Sequence, residues 1–100
     1  MNPKSEVRKL HDQRQSVGAR RTLRGHAATV KGVSFHPDGS RLVSCGFDGQ
    51  VKVWDWRAGV ELLTLPVPGG GMLWHAVFSP DGKMIAAAGG DGIVTLWRME

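Results

Sequence analysis

The sequence predicts an all-β fold of short antiparallel strands arranged in two successive units, and three observations carry that prediction. A long segment returns at an offset of 43 residues. Phe35-His36-Pro37-Asp38-Gly39 comes back as Phe78-Ser79-Pro80-Asp81-Gly82, and Asp48-Gly49-Gln50-Val51-Lys52-Val53-Trp54 as Asp91-Gly92-Ile93-Val94-Thr95-Leu96-Trp97. One ungapped register covers Lys31–Trp54 and Trp74–Trp97, and a fixed period of this length marks a repeat architecture. Glycine, at 14 residues in 100, is about twice as common as in an ordinary domain and signals many tight turns. The third observation is the recurrence of Asp-Gly between apolar runs, which supplies the positive φ that a short hairpin needs.

Taken in order, the elements follow from local chemistry. Val30–Phe35 reads as a first strand, closed by Pro37-Asp38-Gly39. Arg41–Cys45 reads as a second, ending at Phe47-Asp48-Gly49. Gln50–Asp55, alternating Val51 and Val53 with Lys52 and Trp54, is a third, followed by the Arg57-Ala58-Gly59 turn. Glu61–Leu65 is a fourth and ends at Pro66, which has no N–H to continue a ladder. Four antiparallel strands per unit make one propeller blade. The second unit repeats the plan, but the sequence stops at Glu100 just after its third strand, so its outer strand is expected to be absent.

Charge is distributed unevenly. Residues 1–24 hold Lys4, Arg8, Lys9, Arg14, Arg20, Arg21 and Arg24 against Glu6 and Asp12, whereas the rest of the chain is close to neutral. The net charge of +4 therefore belongs to a polar N-terminal segment. Such a segment steers toward acidic partners or simply presents a solvated basic face. With 41% apolar and 22% charged residues the sequence suits one small soluble domain. Its apolar runs, such as Ile85–Ala88, are far too short to span a membrane, and no apolar leader follows Met1, so a cytoplasmic location is expected.

The Trp54-Asp55 pair, the Gly25-His26 pair upstream of it and the 43-residue period together resemble the WD40 repeat, and the resemblance runs from about Thr22 to Arg98. It implies two propeller blades, over about 22–65 and 66–100, behind a basic segment at 1–21. The opening Thr22-Leu23-Arg24-Gly25-His26 would be the outer strand of a preceding blade and the loop leading out of it. The same offset sets His11-Asp12 opposite Trp54-Asp55, so Arg8–Asp12 reads as a degenerate third strand of that blade. A short helix over Lys4–Gln15 is the competing reading.

The resemblance also implies a buried hydrogen-bond tetrad of His26, Ser44, Asp48 and Trp54 in the first unit. The second unit keeps Asp91 and Trp97 but has Ala87 at the serine position and no Gly-His pair between Pro66 and Gly71. Its network is incomplete, so a less stable blade with a mobile Gly69–Gly71 loop is expected. Contact with partners is expected on the propeller face made by the loops before first strands and between second and third strands. Phe47 lies there with Lys31, and Trp74 and His75 replace Lys31 and Gly32 in the second unit. Packing against a neighbouring blade is the first reading for each of these residues, and contact with a partner the second.

Other chemistries find little support. Ser44, His26 and Asp48 invite a hydrolase reading, but Ser44 is mid-strand, without a Gly-x-Ser-x-Gly elbow. Gly69-Gly70-Gly71 lacks the Lys-Ser/Thr of a phosphate loop. His11, His26, His36, His75 and Cys45 never fall at metal-ligand spacing, and a single Asp in each Asp-Gly turn offers too few oxygens for calcium. Cys45, the single cysteine, reads as a small buried apolar residue.

No enzyme activity, cofactor or small-molecule substrate is therefore expected. Since propellers close with four or more blades, roughly 160 residues, 100 residues are too few for a ring. An isolated pair of blades would be a marginal monomer, and three readings are open: a piece of a longer propeller, copies assembling into one, and a stable two-blade monomer. The expected function is a non-catalytic protein–protein interaction scaffold whose partners are proteins, peptides or further blades. The alternative is nucleic-acid or acidic-partner binding through the basic arm.

Overall fold

The computed structural model describes Gly18 and residues 20–99, so the strand and helix alternatives within residues 4–15 lie outside it. Seven strands follow one another: β1 (Val30–Phe35), β2 (Arg41–Gly46), β3 (Gln50–Asp55), β4 (Val60–Pro66), β5 (Leu73–Phe78), β6 (Met84–Gly89) and β7 (Val94–Arg98). They form a four-stranded sheet in the order β1-β2-β3-β4 and a three-stranded sheet in the order β5-β6-β7, each pair antiparallel. No helix occurs among the described residues. The fold is thus all-β, with the first unit complete at four strands and the second carrying three.

Turn chemistry explains where the strands end. Gly39, Gly49, Gly82 and Gly92 sit at φ 78°, 76°, 74° and 86°, each directly after an aspartate. In the first turn Asp38 Oδ1 accepts the Ser40 N–H at 2.8 Å, and in its counterpart Asp81 Oδ1 accepts the Lys83 N–H at 3.0 Å. These short side-chain bonds to the backbone two residues on are what aspartate contributes to a turn. β4 runs one residue further at each end than its sequence pattern indicates. Pro66 closes it opposite Gln50, at a strand end where a missing N–H is tolerated. The Gly69–Gly71 segment contains a tight turn in which the Gly70 N–H donates to the Val67 carbonyl at 3.0 Å.

Strand alternation sorts the first sheet into two faces. Val43, Cys45, Val51 and Val53 point one way and are fully buried against Leu73, Ala76, Ile85 and Ala87 of the second sheet, forming one core. Leu65, Val67, Phe78, Trp97 and Met99 pack around its margin. The approach is close. A Cβ built on Gly32 of β1 would stand 3.0 Å from the His75 Cα of β5 and 3.1 Å from Cys45 Sγ. Ser44, Lys52 and Trp54 lie on the opposite face of the first sheet and are also buried.

Candidate functional site

On that second face a continuous relay runs across the first sheet. Trp54 is a donor only, and its Nε1–H donates to Ser44 Oγ at 2.8 Å. The Ser44 hydroxyl then donates to His26 Nε2 at 2.6 Å, which leaves the ring proton on Nδ1 to be donated to Asp48 Oδ2 at 2.8 Å. Asp48 also accepts the backbone N–H groups of Ala27 at 3.1 Å and Gln50 at 3.2 Å. Burial pushes the Asp48 carboxyl up, but the hydrogen bonds from His26, Ala27 and Gln50 outweigh it and hold the carboxyl below the ordinary range. Each member occupies the next one's bonding capacity, so a buried polar chain is satisfied from end to end.

The second unit lacks this connection. Asp91 Oδ1 accepts the Ile93 N–H at 3.0 Å, two residues along, and Trp97 packs at the core margin. Ala87, in the place of Ser44, offers only a methyl group, so no relay joins them.

A different constellation bridges the two sheets at the edge where β1 and β5 begin. The β1–β2 register slips between Val30 and Gly32, and the β5–β6 register slips at the matching place between Leu73 and His75. The extra residues are Lys31 and Trp74. A bulge re-aims the side chain it carries, and here both turn to the same edge. Phe47, in the β2–β3 turn, meets Trp74 edge-on with ring centroids 5.1 Å apart. The Lys31 ammonium lies 5.6 Å from the Phe47 ring and 5.2 Å from the Trp74 ring. Gly90, the repeat counterpart of Phe47, makes room: a Cβ there would stand 2.7 Å from the Trp74 indole nitrogen. Lys31, Phe47 and Trp74 therefore form one cluster that spans both units. His75 is exposed and stands outside it.

Sequence reasoning missed one buried group. Lys52 is only 5% exposed, yet its ammonium reaches Glu61 Oε1 at 3.0 Å and Thr64 Oγ1 at 3.0 Å, while the Thr64 hydroxyl donates to Glu61 Oε2 at 2.6 Å. The Thr64 and Lys52 hydrogen bonds hold the Glu61 carboxyl below its usual range. An available signal was the opposite charges on consecutive strands flanking the Gly59 turn. Among the described residues no three His, Cys, Asp or Glu side chains converge as a metal-ligand set. No helix among the described residues is long and apolar enough to cross a membrane.

The family model for the WD domain, G-beta repeat, matches residues 19–55 and 59–98, which is most of the chain and both units. The chain belongs to the WD40 repeat family. Its WD40 units are similar to those of a nuclear distribution protein PAC1 from Mycosarcoma maydis, 49% identical over 41 residues, or 41% of this chain and 9% of that protein. They are also similar to a guanine nucleotide-binding protein subunit beta from Solanum tuberosum, 37% identical over 62 residues, or 62% of this chain and 16% of that protein. The LEC14B protein of Lithospermum erythrorhizon is 44% identical over 48 residues, covering 48% of this chain and 10% of its own length. The chain thus spans a small part of the WD40 relatives it matches.

Proposed function

We propose that this WD40 chain is a non-catalytic protein-interaction module, cytoplasmic in location, that engages partner proteins or peptides through the Lys31, Phe47 and Trp74 edge. The observation that carries the reading is the convergence of two aromatic rings and an ammonium group, drawn from both units, on one exposed edge. A half-exposed Trp74 ring backed by the partly buried Phe47 ring, beside a cation, has the composition of a binding hot spot. The tetrad of His26, Ser44, Asp48 and Trp54 is structural in this reading. Ser44 is buried, and its Oγ is already engaged by the Trp54 indole N–H and by His26 Nε2, so its hydroxyl is committed to the relay and not held ready as a nucleophile. The Solanum tuberosum relative is, by its name, a subunit of a guanine nucleotide-binding protein, which supports a role in assembly with other proteins.

A peptide-display selection against the chain tests this. Recovered peptides should lose on the order of tenfold or more in affinity on Trp74→Ala, with smaller losses for Phe47→Ala and Lys31→Ala. Peptides that bind a variant lacking all three side chains equally well would overturn it.

A second reading, acidic-partner or nucleic-acid binding, draws on one observation. Arg20, Arg21 and Arg57 line a groove of about 250 Å³ beside Trp56, with the Arg57 guanidinium 5.1 Å from the Trp56 ring. It predicts oligonucleotide or acidic-peptide affinity that falls steeply with salt and is lost when residues 1–21 are removed.

A further inference from the structure

The two units occupy the same repeat positions in opposite circumstances. Val51 and Val53 of β3 are 0% exposed because the second sheet covers them, whereas their counterparts Val94 and Leu96 of β7 are 65% and 60% exposed. Conversely Ala76 and Ala87 are buried against the first sheet, whereas Val33, the counterpart of Ala76, is 57% exposed and Phe35, the counterpart of Phe78, is 59% exposed. The internal interface joins the inner face of one unit to the opposite face of the next. Among the described residues one surface of each kind is therefore left largely open, with Arg21 and Leu23 beside Phe35 on the first, and the two are complementary by construction.

We propose that a second copy of this chain docks head to tail, the Val33 and Phe35 face of one copy covering the Val94 and Leu96 face of another. The turns match as well as the faces. Inside the chain the His36 ring lies against Gly82, with Phe78 edge-on to it at 4.8 Å, whereas a Cβ on the counterpart Gly39 would meet nothing within 4 Å. Ser79, in the place of His36, is small enough to enter that open position.

The strand edges match too. β7 has no strand on its outer side among the described residues, and residues 21–26 form none. The repeat offset sets residues 20–23 on Leu63–Pro66 of β4, so the β3–β4 register pairs Ile93–Leu96 with residues 20–23 of the second copy. Forming that strand releases the Arg21 contact with the Arg57 carbonyl. One position fits less well, because His75 stands where the internal interface has Gly32. The inner strands must part slightly there, and the docking is weaker than the internal interface. An interface of this heterologous kind gives closed rings or open filaments, according to the rotation per copy.

The test uses sedimentation of the 100-residue chain from low to high micromolar concentration. The wild type should pass from monomer to species of two or more times 10.8 kDa. Val33→Asp and Leu96→Asp should each abolish self-association with an unchanged circular dichroism spectrum, since both side chains are exposed in the monomer. The decisive measurement mixes the two variants. Each keeps one competent face, so the mixture should give a one-to-one heterodimer and nothing larger.

A wild type that stays monomeric across the range overturns the proposal and leaves the faces to further repeats of a longer polypeptide. A wild type that associates while the mixture does not, or a single variant that still dimerises, overturns the head-to-tail geometry. None of these substitutions touches Lys31, Phe47 or Trp74, so the outcome is independent of the peptide-binding reading.

Discussion

Ser44 stands between a donor that cannot accept and an acceptor that is itself fixed by a carboxylate, which makes its hydroxyl hard to replace. Ser44→Ala leaves the Trp54 indole N–H and the His26 Nε2 without partners in a buried site. Each orphaned group costs about 1–3 kcal/mol, so the substitution should lower unfolding free energy by at least about 2 kcal/mol in urea titration. Thr, which keeps the hydroxyl, should recover part of the loss.

Asp48 adds a pH dependence. Its folded pKa is depressed, so its contribution is complete at neutral pH and disappears as pH falls below about 4 toward the folded value. Asp48→Asn should flatten that acid limb in thermal melts across pH 3–6, besides lowering stability at neutral pH. Cys45 tells the same residue-scale story from the apolar side. It is fully buried, and burial pushes its thiol up, so thiol reagents should label it only as fast as the sheets open. The tetrad positions were named through the resemblance to the WD40 repeat and not from bonding types or parity, whereas the bland role of Cys45 followed from its having no second thiol to pair with. The tautomer of His26 became legible only when Nδ1 was seen to face the acceptor-only Asp48 carboxylate, which leaves Nε2 to accept from Ser44.

At the scale of strands and turns, the Asp-Gly pairs and alternating valines placed β1 to β3 within a residue of their ends. Two features of these elements escaped. The bulges at Lys31 and Trp74 leave no compositional trace, because both repeats contain the extra residue and the offset of 43 is undisturbed. The burial of Lys52 escaped because alternation distinguishes two faces of a strand without saying that both are covered. Its side chain is buried, with Glu61 as the only carboxylate among the described residues within salt-bridge distance, while Glu61 itself is partly in water. Breaking the pair from the acidic side is therefore the more damaging change. Glu61→Gln should destabilise by about 1–3 kcal/mol, and Lys52→Met by less, since methionine fills the same space and leaves behind a carboxylate that water can reach. A double-mutant cycle in urea measures the difference. The pair should also weaken as pH falls below about 4.3 toward the depressed Glu61 pKa, adding to the acid limb set by Asp48.

For the whole molecule, the repeat makes each position its own control. Val53 and Leu96 occupy equivalent places on β3 and β7, differ by one methylene, and differ in exposure from 0% to 60% because one faces the other sheet and the other faces solvent. That contrast was not legible in the sequence, where the two segments read as the same strand; it depends on which neighbour is present in space. It predicts unequal consequences for like substitutions. Val53→Asp introduces an unpaired charge into the single core shared by both sheets and should unfold the chain outright, since a domain this small has only a few kcal/mol to lose. Leu96→Asp, measured on dilute monomer by urea titration with circular dichroism, should change stability by no more than about 0.5 kcal/mol. Ile85, fully buried in the same shared core from the side of the second sheet, completes the comparison: Ile85→Ala should cost about 2–5 kcal/mol and melt both sheets in one transition. Two separate transitions in that variant would mean that each sheet holds itself together, contrary to a core in which neither sheet buries its valines or alanines without the other.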